Sequence, residues 1–135
     1  MADIPDPVMA ACEQHWPAHK YDCSGFVKAV ATDLSIELFG QANQIIDYLD
    51  HSARWQNLGA DPATATTRAN SGEFVIAGLK ATGHGHLAVV VKSNSGRYPI
   101  GYWGQFGGIG KRKTSLNFSW RRSDWPKVQF YAAKL

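Results

Sequence analysis

Cysteine is scarce: the chain has two in 135 residues, Cys12 and Cys23. Two are too few for a disulfide scaffold, and they do not assign a redox compartment. Long hydrophobic runs are absent. No stretch approaches the ~20 consecutive apolar residues of a membrane-spanning helix, so no membrane insertion is expected. The segment Met1–Pro7 has Asp3, Asp6 and two prolines but no basic stretch, so it does not read as a signal peptide. Action outside the cell would then need another export route. Internal repeats and low-complexity linkers are also missing, and residues 1–135 are expected to form one domain. Charge of one sign is only mildly in excess, at +3. That suits an anionic partner such as a cell-wall polymer, a membrane face or a nucleic acid, but it identifies none of them.

Apolar residues make up 44% of the chain and aromatics 12%. A chain this long buries roughly two thirds of its unfolded surface, so neither a metal nor disulfides are needed for folding. Val8, Cys12, His15 and Trp16 fall at helical spacing and predict a first helix limited by Pro17. Phe26, Val27, Val30, Ala31 and Leu34 predict an amphipathic helix starting near Asp22 or Cys23. Ala42, Ile45, Ile46 and Leu49 mark a third. Asp61-Pro62 reads as an N-cap followed by proline at the first helical position, with Ser71-Gly72 ending that helix. The second half changes character. Phe74 to Leu79, Leu87 to Val91, Tyr98 to Trp103 and Val128 to Ala132 read as strands separated by glycine-rich turns. Helices first and strands later predict an α+β fold with an antiparallel sheet.

Cys23 lies in Tyr21-Asp22-Cys23-Ser24-Gly25-Phe26, at the start of the clearest helix. Asp22 is a natural N-cap. Cys23 then falls in the first turn, where free N–H groups and the helix dipole favour a thiolate. The same N–H groups could hold an oxyanion, and Gly25 would leave room beside the sulfur for a substrate backbone. The plainer reading is a buried structural cysteine. His86 opens the apolar strand after Gly83-His84-Gly85 and is placed to act as base to a cysteine nucleophile. Its plainer reading is a turn histidine bonded to a carbonyl.

Cys23, His84 and His86 could also ligate zinc, but no fourth ligand is evident, so neither a metal nor a cofactor is expected. His84 reads as a rim residue; His15, His19 and His51 read as surface or satisfied side chains. Lys111-Arg112-Lys113, Arg121 and Arg122 interleave with Phe118, Trp120 and Trp125, a pattern that also fits a nucleic-acid-binding module. The competing account is that the aromatics are core and the charges solvated, with no nucleic-acid partner.

Asp22-Cys23-Ser24-Gly25-Phe26-Val27 followed by Gly85-His86-Leu87-Ala88-Val89-Val90 resembles the NlpC/P60 peptidases, papain-like enzymes that cut bacterial cell-wall peptides. The chain is more narrowly similar to the first family of type VI secretion amidase effectors. That similarity includes Phe74-Val75-Ile76-Ala77-Gly78-Leu79-Lys80, Tyr98-Pro99, and Ala11-Cys12 with Trp16. The resemblance implies a papain-like fold with N-terminal helices beside an antiparallel sheet. It implies hydrolysis of the γ-D-glutamyl to meso-diaminopimelate bond of peptidoglycan by Cys23 and His86. It also implies delivery by a type VI secretion apparatus into a rival's periplasm, and a cognate immunity protein that blocks the cleft. A monomer is expected. A cysteine acyltransferase or another peptidase on the same fold is the alternative within this class.

In such enzymes a third polar group orients the histidine, and the resemblance places it on the following strand, at Trp103. An indole N–H only donates. Either the Trp103 carbonyl serves, or Gln105 or another acceptor reaches in, or the pair works as a dyad. Tyr21, Asp22, Ser24, Gly25 and Gln105 are expected to border the substrate, with helix capping as the plainer role of Asp22. Lys80, Lys92, Arg97, Lys111, Arg112 and Lys113 are candidates for a basic cleft edge.

Overall fold

The computed structural model describes residues 6–94 and 96–135. The signal-peptide reading of Met1–Pro7 therefore falls mostly outside the described residues. Helix α1 (Pro7–His19) is capped by Asp6, whose Oδ1 accepts from the Val8 N–H at 3.1 Å. It passes through Pro17 and ends two residues beyond it, where a shorter helix was expected. Pro17 stands in the last turn, so its missing N–H disturbs the end of the helix and not its body.

Helix α2 (Cys23–Asp33) buries Phe26, Val27, Val30 and Ala31. Helix α3 (Ala42–His51) opens with a reciprocal Gln41–Gln44 capping box and buries Ala42, Ile45, Ile46 and Leu49. Helix α4 (Pro62–Asn70) starts at Asp61, which accepts from the Thr64 N–H at 3.2 Å, with proline in the first turn as expected.

One antiparallel sheet runs in the order β1-β6-β2-β3-β4-β5. Its strands are β1 (Gln56–Gly59), β2 (Phe74–Leu79), β3 (His86–Val91), β4 (Ile100–Trp103), β5 (Lys111–Ser115) and β6 (Gln129–Ala133). Four of these were expected; β1 and β5 were not. Both are edge strands, short and polar (Gln-Asn-Leu-Gly and Lys-Arg-Lys-Thr-Ser). Exposed edges are commonly charged because charge discourages pairing with other chains, and a strand without apolar alternation leaves no periodic signal.

The fold is α+β, as expected. One face of the sheet, with Ile76, Leu87, Val89, Tyr102 and Tyr131, packs on α1, α2 and α3. The other, with Ala77, Ala88, Val90, Trp103 and Phe130, packs on Ala65 and Ala69 of α4 and on Leu116. Cover on both faces is why the central strands read as unbroken apolar runs. Cys12 lies in the first cluster, on α1, and burial raises its thiol well above the ordinary value.

Candidate active site

Asp22 has extended backbone and accepts from the Gly25 N–H (3.1 Å) and the Ser24 hydroxyl (3.2 Å) through one carboxylate oxygen. This cap starts α2 at Cys23. The thiol is fully buried beside Leu87 of β3. Burial is the largest influence on it and raises its pKa. The Leu87 N–H opposes that, the Asp22 charge adds to it, and the N–H groups of Ser24 and Cys23 oppose it in turn. Two backbone donors from the helix start and one from β3 thus face the sulfur, yet desolvation outweighs them. Burial thus works against the thiolate that the helix start is expected to favour.

His86 is the first residue of β3 and pairs with Leu79 of β2. Side chains alternate along a strand. Leu87, Val89 and Val91 share the face that holds Cys23, while His86 shares the opposite face with Ala88 and Val90. There its Nε2 lies 2.5 Å from Ser119 Oγ, and its ring meets the Trp120 ring edge-on at 5.0 Å. Ser119 closes a 3₁₀ turn, Leu116–Ser119. Burial, with His84 adding to it, lowers the imidazole to about 4, so His86 is neutral at pH 7. Cys23 and His86 thus approach the start of β3 from its two sides. The sulfur faces the N–H of the residue that follows the histidine. Among the described residues no hydrogen bond joins the two side chains.

A cavity of about 240 Å³ opens on the imidazole and is lined by His84, His86, Gln105, Phe106, Ser119 and Arg121, among others. A larger cavity of about 690 Å³ lies elsewhere, lined by Ile36, Leu38, Phe39 and Tyr48, and brings no cysteine or histidine. His84 and His86 make the smaller one the candidate site; Cys23 is not among the residues that line it.

Two contacts aim these elements. Asn43 of α3 donates to the Ala81 carbonyl (2.8 Å) and accepts from the Ala81 N–H (3.2 Å), pinning the turn before β3. Gly85 is needed there because a Cβ would stand 2.3 Å from Asn43 Oδ1 and 2.9 Å from the Leu79 carbonyl oxygen. The loop after β4 folds over the α1–α2 turn, where the N–H groups of Gln105 (3.0 Å) and Gly110 (2.7 Å) both donate to the Lys20 carbonyl.

The other expected site residues divide. Gln105 lines the imidazole cavity. Trp103 does not reach His86 by hydrogen bond: its ring is buried in the core on the α4 side, and its carbonyl accepts from the Trp16 indole at 3.1 Å. The carbonyl expected as an orienting group is therefore engaged elsewhere. Asp22 is the helix cap. Ser24 is buried between Asp22 and Gln41, whose Oε1 it reaches at 3.2 Å. Gly25 makes room for the cap and not beside the sulfur, since a Cβ there would stand 2.4 Å from Asp22 Oδ2. Tyr21 is exposed under the Lys20 ammonium, 5.5 Å from its ring centroid.

His84 stacks at 4.7 Å on Phe106 at the cavity rim. His15 pairs with Asp33 and His51 with the Asp47 carbonyl, both at 2.8 Å. Among the described residues no three His, Cys, Asp or Glu side chains gather as a metal site. The basic and aromatic residues do not form one track. Arg112 is tied to Glu13 (2.5 Å) and lies over the Trp16 ring, Arg121 lines the imidazole cavity, and Arg122 with Phe118, Trp120 and Trp125 lines a neighbouring groove that shares Trp120 with that cavity. Of the candidates for a basic cleft edge, Lys80 pairs with Asp47 at 2.6 Å.

Helices packed on an antiparallel sheet, with a cysteine at a capped helix start and a histidine at a strand start beside it, are the architecture of a papain-like amidase. No protein-family model matches the chain. It is 33% identical to the peptidoglycan amidase Tse1 of Pseudomonas aeruginosa, across all of this chain and 94% of that protein. The chain belongs to the Tse1 family.

Proposed function

We propose that this protein is a cysteine-dependent peptidoglycan amidase that hydrolyses the γ-D-glutamyl to meso-diaminopimelate bond of the stem peptide. The observation that carries this reading is the placement of the Cys23 sulfur. It sits at a capped helix start, against the N–H of Leu87, the residue that follows His86, on a chain of the Tse1 family.

Both groups rest uncharged, which favours proton transfer during attack over a standing ion pair. His86 takes the thiol proton as the sulfur attacks the γ-carbonyl. The contact between them is completed in the substrate complex, where catalytic hydrogen bonds commonly tighten. The Cys23 N–H and a second donor hold the oxyanion. The imidazolium then protonates the diaminopimelate amine as the C–N bond breaks. Water, deprotonated by His86, releases the D-glutamyl-ended stem from the thioester as its γ-carboxylate and regenerates the thiol. Arg121 at the cavity rim offers a cation to the free carboxylates of the stem. Delivery by a type VI secretion apparatus into the periplasm of a target bacterium, and an immunity protein that caps the cavity in the producer, belong to the same proposal.

The test is digestion of purified muropeptides with mass spectrometry of the products. Cleavage should add one water and expose the diaminopimelate amine, and Cys23→Ala and His86→Ala should each abolish it. Undiminished cleavage by either variant would rule out the pair. A product mass without the added water would mark acyl transfer instead.

A further inference from the structure

We propose that Ser119 is the positioning residue for His86, accepting the Nε2–H so that Nδ1 is left bare to take the Cys23 proton. The proposal rests on the Cys23–His86 reading above and assigns its missing third group. That group was expected at Trp103 of β4, or from Gln105 or another acceptor: the Trp103 ring is buried in the core, its carbonyl is bonded to Trp16, and among the described residues Gln105 makes no hydrogen bond to His86. The hydroxyl comes instead from the 3₁₀ turn after β5, far along the chain, and it meets the imidazole at 2.5 Å.

Three observations converge on this contact. Ser119 is 8% exposed, and Ser24 is the other buried polar side chain among the described residues. A buried hydroxyl requires a partner, and the one it has is His86 Nε2. Trp120, the next residue, lies edge-on to the same imidazole at 5.0 Å and is in turn 6.3 Å from Trp125. The Ser119-Trp120 dipeptide therefore grips the ring twice, once by hydrogen bond and once by aromatic contact. Both side chains also line the cavity onto which His86 opens, so the grip lies at the site itself.

The chemistry follows from what a hydroxyl can do. A neutral imidazole carries one N–H, and the bond made by one nitrogen decides which nitrogen is free. With Nε2–H donating to Ser119 Oγ, Nδ1 is the acceptor. When Nδ1 takes the thiol proton, Nε2–H keeps the same bond, so the ring need not reorient between the two halves of the reaction. A carboxylate in this place would also raise the basicity of the ring. A neutral hydroxyl orients it without charge, in keeping with an imidazole that burial holds well below its ordinary range.

The experiment pairs ¹⁵N NMR of the histidine rings with kinetics of Ser119→Ala and Ser119→Thr on muropeptides. In the unmodified protein His86 should be the Nε2–H tautomer at pH 7. Ser119→Ala should mix the tautomers. It should also lower kcat on the order of 10- to 100-fold with KM little changed, by analogy with the loss when the hydrogen-bond partner that orients a metal-bound histidine is removed. Ser119→Thr, which keeps the hydroxyl, should restore the tautomer and most of the rate. An Nδ1–H tautomer in the unmodified protein, or wild-type kcat and tautomer in a folded Ser119→Ala, would overturn the proposal. If instead His86→Ala cleaves muropeptides normally, the catalytic pair itself fails. The NMR result still shows whether Ser119 holds the ring, so the two failures are separate.

Discussion

At the scale of single residues, Asp22 takes the capping role expected of it beside its place at the substrate border. It accepts the Gly25 N–H and the Ser24 hydroxyl, and Gly25 leaves space for the carboxylate. Asp22→Ala should therefore act first on stability, costing about 1 kcal/mol through the lost cap. Urea unfolding would measure this. An unchanged midpoint would mean that the cap contributes nothing. The same variant loosens the turn that aims the Cys23 N–H groups, so its alkylation rate at Cys23 should also change.

At the scale of elements, the site depends on close backbone approach between the loop after β4 and the α1–α2 turn. A Cβ at Gly104 would lie 2.3 Å from the His19 carbonyl oxygen and 2.4 Å from that of Asp22, both backbone atoms that cannot swing away. Gly104→Ala must push the loop off the turn that precedes Cys23. Overpacking of this kind costs about 1–3 kcal/mol. A lowered Tm and reduced muropeptide cleavage are expected together, and a variant with wild-type values of both would contradict the packing described.

At the scale of the whole molecule, His86 couples the site to global stability. Its folded pKa, about 4, lies below its ordinary value of 6.5. The unfolded chain therefore binds the proton first as pH falls. The stability tied to the neutral ring is complete above pH 6.5 and is lost progressively between pH 6.5 and 4. A shift of that size corresponds to roughly 3 kcal/mol. Denaturant midpoints measured from pH 7.5 to 4 should fall across that window, and the fall should be smaller in His86→Gln, whose side chain does not titrate. Equal slopes in the two proteins would place the acid sensitivity elsewhere. On the same scale, Arg112 is tied to Glu13 and does not line the cavities that Arg121 and Arg122 border, which predicts that single-stranded oligonucleotides leave tryptophan fluorescence unchanged at physiological salt.

The four helices and the four central strands were legible in the sequence because their signals are local. Asp61-Pro62 is a cap within two residues, Ala42 to Leu49 is one apolar stripe, and Leu87 to Val91 is an apolar run that only a doubly covered strand needs. Cys23 and His86 stood out as candidates in part for the same reason, since Cys23 follows a cap and His86 opens a strand, but the family resemblance of the surrounding segments is what favoured them as a pair. What only the tertiary structure decided depends on neighbours distant in sequence. The edge strands Gln56–Gly59 and Lys111–Ser115 are polar because they face water, so pairing alone reveals them. The upward push on the Cys23 thiol and the downward push on the His86 imidazole follow from burial, which no local pattern reports. Ser119 meets His86 because a turn after β5 returns to the start of β3, and an isolated serine before a tryptophan carries no sign of that in the sequence.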